Sequence, residues 1–218
     1  SGGCSVKASY FRAWFRHRRF NQTAGFFLWH SRLETHIRLC IQIRLNGDGF
    51  IDLLIGNSWP GGSYKSAMIS KGNGWTRDIH TWDIPDGFLI VGGADAGRRM
   101  PDLNGDGLSD LVYAKDGARS TYRNTGSGWS ADSRWNSPVD CVTGGVDSGA
   151  RFVDLNGDGL TDLISAKDGA KATYLNTGSG WVSDARWNLP SGDLMASGQD
   201  QGRRFADVNG DGLVDLLI

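Results

Sequence analysis

A nine-residue pattern, Asp-x-Asn-Gly-Asp-Gly-x-x-Asp, stands three times in full in this chain: DLNGDGLSD at 102–110, DLNGDGLTD at 154–162 and DVNGDGLVD at 207–215. A fourth copy, RLNGDGFID at 44–52, has Arg44 in place of the leading acid. The copies start 58, 52 and 53 residues apart. A period of that length constrains the fold more than any composition does. Each unit must fold alike, and units that cannot bury their apolar faces alone must bury them on one another.

The repetition extends well past the loop. GADAGRRMPDLNGDGLSDLVYAKDGARSTYRNTGSGW begins at Gly93, GVDSGARFVDLNGDGLTDLISAKDGAKATYLNTGSGW at Gly145, and GQDQGRRFADVNGDGLVDLLI at Gly198. The first copy is more diverged, with the excursion GNSWPGGSYKSAMISKGNGW before its Trp75. Within one unit, Arg151-Phe152-Val153 leads into the acidic loop and Asp162-Leu163-Ile164-Ser165 reads as a short apolar strand. Lys167-Asp168-Gly169 reads as a hairpin turn, because Asp-Gly supplies the positive φ angles of a two-residue turn. Lys171 to Leu175 alternates as a half-buried strand, Gly178-Ser179-Gly180 turns again, and Trp181-Val182 opens a fourth strand. About four strands per roughly 50 residues is the pattern of a propeller blade. The expected fold is therefore all-β: a β-propeller of four-stranded blades, present as a segment, with blades over 44–218 and an atypical basic segment over 1–43.

Composition agrees. The 32 glycines in 218 residues are roughly twice the usual share and imply many turns. All 23 acids after residue 43 are Asp, which favours turns and tight oxygen cages over helices. Residues 1–43 carry seven Lys/Arg and the single acid Glu34, a charge of +6, against −7 for the remainder. This first segment reads as a degenerate blade or a non-homologous stretch, with a basic aromatic arm as the functional alternative. The overall charge of −1 gives no argument for nucleic acid, and no stretch is long and apolar enough to insert into a membrane. Cys4, Cys40 and Cys141 are too irregularly spaced for a disulfide framework or a zinc site, and Asn21-Gln22-Thr23 is a glycosylation sequon.

The acidic loop itself carries chemistry. Positions 1, 3, 5 and 9 offer side-chain oxygens, and position 7 can add a carbonyl. Calcium takes six to eight hard oxygens in a flexible cage, whereas magnesium keeps its waters. Glycines at positions 4 and 6 permit the curl, and three crowded carboxylates repel one another without a cation. An EF-hand or dockerin loop would feed a helix, but here the ninth residue runs straight into Leu-Leu-Ile or Leu-Ile-Ser. Thrombospondin-type acidic repeats are more closely spaced and cysteine-rich.

With those excluded, residues 44–218 resemble the FG-GAP/VCBS repeat family, whose best-known members are the integrin α-subunit propellers. The resemblance implies calcium in the loop joining the first two strands of each blade. The implied ligands are Asp102, Asn104, Asp106, the Leu108 carbonyl and Asp110; then Asp154, Asn156, Asp158, the Leu160 carbonyl and Asp162; then Asp207, Asn209, Asp211, the Leu213 carbonyl and Asp215. The first copy retains Asn46, Asp48, the Phe50 carbonyl and Asp52, and is expected to bind weakly or not at all.

Other repeated residues have competing readings. Trp75, Trp129 and Trp181, with Trp82, Trp135 and Trp187, suit packing between blades or stacking on sugar rings. Arg99, Arg151 and Arg204 suit a blade-to-blade bond or a ligand-binding ring. His17, His30, His36 and His80 form no motif with a nucleophile, so no catalysis is expected. The expected role is an extracellular or cell-surface module for protein recognition, adhesion or assembly. Its partners would be another protein or other copies of itself. A carbohydrate-binding propeller and a propeller domain of a larger secreted enzyme or toxin are the alternatives. Recognition is expected on the variable stretches 56–63, 84–93, 136–144 and 188–197, away from the calcium loops. The chain, only about three and a third periods from residue 44, is not expected to close a ring alone.

Overall fold

The computed structural model describes residues 27–29, 38–78 and 81–218. His17, His30, His36, His80, Cys4 and the Asn21 sequon lie outside them. The first blade comprises β1 (Phe27–Trp29), β2 (Arg38–Ile43), β3 (Asp52–Trp59), β4 (Gly62–Ser70) and β5 (Trp75–Asp78), followed by a small hairpin, β6 (Ile90–Val91) and β7 (Ala94–Asp95). The second holds β8 (Arg98–Arg99), β9 (Leu111–Lys115), β10 (Ala118–Asn124) and β11 (Trp129–Ala131), then a 3-10 turn at Ser133–Trp135 and the hairpin β12 (Val142–Thr143) and β13 (Val146–Asp147). The third repeats it: β14 (Ala150–Val153), β15 (Asp162–Lys167), β16 (Ala170–Asn176), β17 (Trp181–Ser183), a 3-10 turn at Ala185–Trp187, then β18 (Met195–Ala196) and β19 (Gln199–Asp200). A fourth unit contributes β20 (Arg204–Ala206) and β21 (Asp215–Leu217). There is no α-helix among the described residues, and the sheets do not join into a closed ring. The protein is a segment of a β-propeller.

Each blade is an antiparallel meander. β15 lies between β14 and β16, with Leu163 opposite both Phe152 and Tyr174. The turn between β15 and β16 is made by Asp168 (φ 49°) and Gly169 (φ 85°), both left-handed as a two-residue hairpin turn requires. In the first blade β2 pairs with β3, Ile43 opposite Asp52, as β14 pairs with β15. Residues 38–43 thus supply the strand that precedes the acidic loop.

The stretches between blades, read from sequence as variable loops, also carry core. The two after the second and third blades begin near a 3-10 turn capped by an aspartate, Asp132 or Asp184, whose carboxylate holds the following Arg134 or Arg186. Each ends in a hairpin whose first strand runs parallel to the blade, Val142 beside Lys115 and Met195 beside Lys167. Ile84, Leu89, Cys141 and Leu194 from these stretches are buried. Burial pushes the Cys141 thiol up to about 11, which keeps it an unreactive packing residue.

Blade packing accounts for four of the six repeated tryptophans, while Trp75 and Trp187 are exposed. Trp129 meets Trp82 of the preceding blade edge-on, with ring centroids 5.5 Å apart, and Trp181 meets Trp135 the same way at 6.2 Å. Trp135 is sealed by Leu103 and Val112 of its own blade and by Phe152 and Trp181 of the next. The arginines form the expected bonds between blades. Arg99, Arg151 and Arg204 pair with Asp95, Asp147 and Asp200, four residues earlier. Each pair ties the closing hairpin of one blade to the first strand of the next.

Candidate functional site

Every acidic loop sits between the first and second strands of its blade, at the end of the sheet opposite the Asp-Gly turns. In the 102–110 loop the Asp102 carboxylate accepts from Gly105 N–H at 2.9 Å and Gly107 N–H at 2.8 Å. Asn104 Oδ1 accepts from Asp106 N–H, and Asp106 Oδ1 from Leu108 N–H. Gly105 and Gly107 have φ of 74° and 82°, which is what lets the backbone curl around its own side chains. The 154–162 and 207–215 loops repeat these bonds.

The ninth-position aspartates are different. Asp110 is fully buried; its Oδ2 accepts from Leu103 N–H at 2.8 Å and its Oδ1 from Asn124 N–H at 2.7 Å. Asp162 does the same with Leu155 and Asn176, and Asp52 with Leu45 and Ser70. Each therefore bolts the loop to the start of the next turn in its own blade. Burial pushes the Asp110 carboxyl up to about 6, and also raises Asp102, Asp162 and Asp52; neighbouring loop carboxylates push the same way. A negative charge at these positions is thus held against its preference.

Among the described residues no three His, Cys, Asp or Glu side chains converge as a metal cage. The loop carboxylates turn instead to backbone N–H groups, the donors within reach. The donor chemistry nonetheless fits a hard divalent cation: each full loop offers only oxygen, three carboxylates and one amide, and a carboxylate oxygen that accepts one N–H retains a lone pair. The residues that would hold such an ion are the sets read from sequence at 102–110, 154–162 and 207–215. The 44–52 loop keeps the curl, with Gly47 and Gly49 at φ 70° and 84°, and Phe50 N–H bonds to Asp48. It lacks the leading carboxylate, and Arg44 is tied through its backbone to Ser109 of the next loop.

Two features of the loops went unread in the sequence. Asn124 Nδ2 donates to Leu45 O of the preceding loop and Ser109 O of its own; Asn176 Nδ2 does likewise to Leu103 O and Thr161 O. The signal was present, an Asn fourteen residues after both Asp110 and Asp162. The second is the position-7 leucine. A Cβ at Gly105 would lie 3.3 Å from the Leu160 side chain, and one at Gly157 only 2.5 Å from that of Leu213. The loops at 102–110 and 154–162 are therefore each roofed by the leucine of the next, and at Gly157 space as well as φ calls for glycine.

Repeated sheets, each with a curled acidic loop between its first two strands, define a β-propeller with acidic loops. The pattern of the FG-GAP-like repeat matches residues 102–165 and 154–218, more than half of the chain, and the protein belongs to that family. It is 34% identical over 74 residues to integrin alpha-4 of Xenopus laevis, a match that takes in 30% of this chain and 7% of the integrin. Among solved structures it is similar to an Agrocybe aegerita lectin described as recognising non-reducing terminal N-acetylglucosamine (TM-score 0.55, 18% identity, 82% of this chain and 45% of the lectin). It is also similar to the Tc holotoxin pore of Photorhabdus luminescens (TM-score 0.52, 17% identity, 91% of this chain and 11% of the toxin). The chain spans less than half the length of each of these proteins, and the two structural likenesses speak to the fold. No helix among the described residues is long and apolar enough to cross a membrane.

Proposed function

We propose that the protein is a non-catalytic, calcium-stabilised propeller module that acts outside the cell or at its surface and recognises another protein. The observation that carries this reading is a division of labour between the two ends of the blades. At one end the repeated Asp, Asn, Gly and Leu side chains are engaged in the acidic loops. At the other, the stretches that differ from unit to unit are stitched to the strand turns. Asp140 accepts from Gly117 N–H and Asp193 from Gly169 N–H, while Asp116 and Asp168 accept from Gly144 and Ser197. Lys65, Arg119 and Lys171 reach across to Ile84 O, Ser137 O and Leu189 O. Variable sequence on a rigid repeated frame is where specificity is built. Likeness to an integrin α-subunit supports a protein partner and an extracellular setting.

The carbohydrate reading would need tryptophan faces free for sugar rings; Trp82 and Trp135 are only 4% and 1% exposed, which leaves Trp75 and Trp187, at 43% and 38%, as the faces a sugar could reach. Two binding arms decide between the readings: a glycan array, and a panel of immobilised extracellular proteins, each probed with and without calcium. We expect calcium-dependent retention on a protein, altered when 136–144 is replaced by the 188–197 stretch with the melting curve preserved. Retention on a glycan, or protein binding indifferent to this swap and to equivalent swaps at 56–63 and 84–93, would overturn the proposal.

Two further results are expected of the loops. Arg44→Asp restores the acceptor for Gly47 and Gly49 and exchanges a cation for an anion, so calorimetric titration should count one more calcium than in the parent chain; an unchanged count would contradict the assigned ligands. The second concerns pH. In metal-stripped protein the Asp110 carboxyl, raised from 3.8 to about 6, favours the protonated form in the folded state. Its stabilising effect is full below about pH 4 and is lost as pH rises through 6, a change on the order of 3 kcal/mol at most. Bound calcium favours the ionised form and reverses the sign. Urea unfolding from pH 4 to 7 should therefore show stability falling with pH in stripped protein and rising with pH in excess calcium. Slopes of the same sign would refute this. Asp132, held down at about 2 chiefly by its hydrogen bond from Arg134, titrates below the window and does not confuse it.

A further inference from the structure

We infer that Asn46-Gly47, in the loop led by Arg44, is a site of spontaneous modification. The Asn46 side-chain amide is lost through a cyclic imide, leaving an aspartyl or isoaspartyl residue, while the same dipeptide in the three full loops is protected. In the step the Gly47 backbone nitrogen attacks Cγ of Asn46, a C–N bond forms, and the side-chain nitrogen leaves as ammonia, taking up the amide proton. Water then opens the five-membered imide at either of its carbonyls. The inference rests on the hydrogen bonds of the loops and not on the metal or recognition readings.

Asn-Gly suits this step because glycine has no side chain to hinder the approach of its nitrogen. The dipeptide stands at 46–47, 104–105, 156–157 and 209–210 in the four loops. These four are closely matched. Each glycine is exposed and left-handed, with φ of 70°, 74°, 77° and 81°. Each asparagine Nδ2 donates to the carboxylate two residues on, and each Oδ1 accepts from the backbone N–H of that same aspartate. What separates them is the glycine amide. Gly105 N–H donates to Asp102 at 2.9 Å, Gly157 N–H to Asp154 at 2.8 Å and Gly210 N–H to Asp207 at 2.7 Å. Arg44 stands at that place in the first loop, and among the described residues nothing accepts from Gly47 N–H or Gly49 N–H.

An N–H held by a carboxylate is a poor nucleophile on two counts. The negative charge opposes loss of its proton, and the bond must break before the nitrogen can turn onto Cγ. A hydrogen bond to a charged group is strong enough to slow a step that breaks it on the order of tenfold. The leading aspartate therefore guards the dipeptide that follows it, and the first loop keeps the dipeptide without the guard. The product changes the loop. An aspartate at position 46 raises its carboxylates from two, Asp48 and Asp52, to three, which makes up in number for the acid that Arg44 replaces. An isoaspartate adds the same charge and one methylene to the backbone. A second Asn-Gly of the first blade provides a reference: Asn73-Gly74, in the turn between β4 and β5, is exposed, and no acceptor meets Gly74 N–H among the described residues.

The test ages the whole 218-residue protein in chelator at neutral pH, below its melting transition, and follows each asparagine by tryptic peptide mapping with mass spectrometry. Cleavage after Arg44, Lys71, Arg99, Arg151 and Arg204 places the five Asn-Gly pairs on separate peptides. Asn46 and Asn73 should be modified about tenfold faster than Asn104, Asn156 and Asn209. Arg44→Asp should bring Asn46 down to the rate of Asn104 and leave Asn73 unchanged. Asp102→Ala should raise Asn104 towards the rate of Asn46 and leave Asn156 unchanged. If either variant fails to fold, the comparison of the four loops within the parent chain decides. Equal rates at the four loop asparagines, an Asn46 as slow as Asn104 in the parent chain, or an Asn46 rate indifferent to Arg44→Asp would overturn the inference.

Discussion

Stripping calcium from the folded protein is expected to lower its melting temperature by about 15–30 °C. An ion that binds only the native state stabilises it by about 2.7 kcal/mol per site at a hundredfold excess over Kd. Three full loops acting additively would then contribute more than half of a typical domain's net stability, and for a chain of this size about 1 kcal/mol corresponds to about 2–4 °C. Each loop joins two strands, and its ninth aspartate ties both to the following turn, so loosening a loop loosens the blade that carries it. Asp106→Ala, Asp158→Ala and Asp211→Ala should each remove one calcium and about 5–10 °C in its presence. In chelator the same substitutions should lose only the local hydrogen bond to Leu108, Leu160 or Leu213, about 1 kcal/mol. Asp48→Ala, in the loop led by Arg44, should cost less in calcium than any of the three. A melting curve indifferent to chelator, or a titration that finds no calcium bound, would remove the metal from this account while leaving the blades in place.

How much of this was legible in advance depended on how local the cause was. The strands of one unit and the Asp168-Gly169 turn follow from two-residue alternation and from the φ angles a tight turn needs, and both lie within a few residues of sequence. The acidic loops were readable for the same reason. What escaped was set by neighbours distant in the chain. Asn176 acts on Leu103, 73 residues away, and Leu160 covers Gly105 of the loop before it. Position 7 was assigned for its carbonyl alone, and nothing in a single unit distinguishes that role from a side chain that roofs the preceding loop. The recurrence of Arg99, Arg151 and Arg204 suggested a bond between blades, and each meets an aspartate four residues earlier, on the closing hairpin of the preceding blade.

The tryptophan pair at equivalent positions, Trp135 and Trp187, should respond unequally to the same substitution. Trp135→Ala deletes an indole enclosed by Leu103, Val112, Phe152 and Trp181, and should destabilise the protein by about 3–5 kcal/mol through lost burial and the cavity left behind. Trp187→Ala removes a side chain that is 38% exposed and bordered by an open cleft, so its loss should stay under about 2 kcal/mol. The comparison is close to controlled. Both residues end a 3-10 turn capped by an aspartate that holds an arginine two residues on, and both stand over a leucine and a β-branched residue of their own blade. What differs is the neighbour: Phe152 with Trp181 in one case, Phe205 without a tryptophan in the other. Urea unfolding of the two variants therefore measures what a following blade contributes to the one before it. Equal losses would mean that Trp187 is already covered in solution.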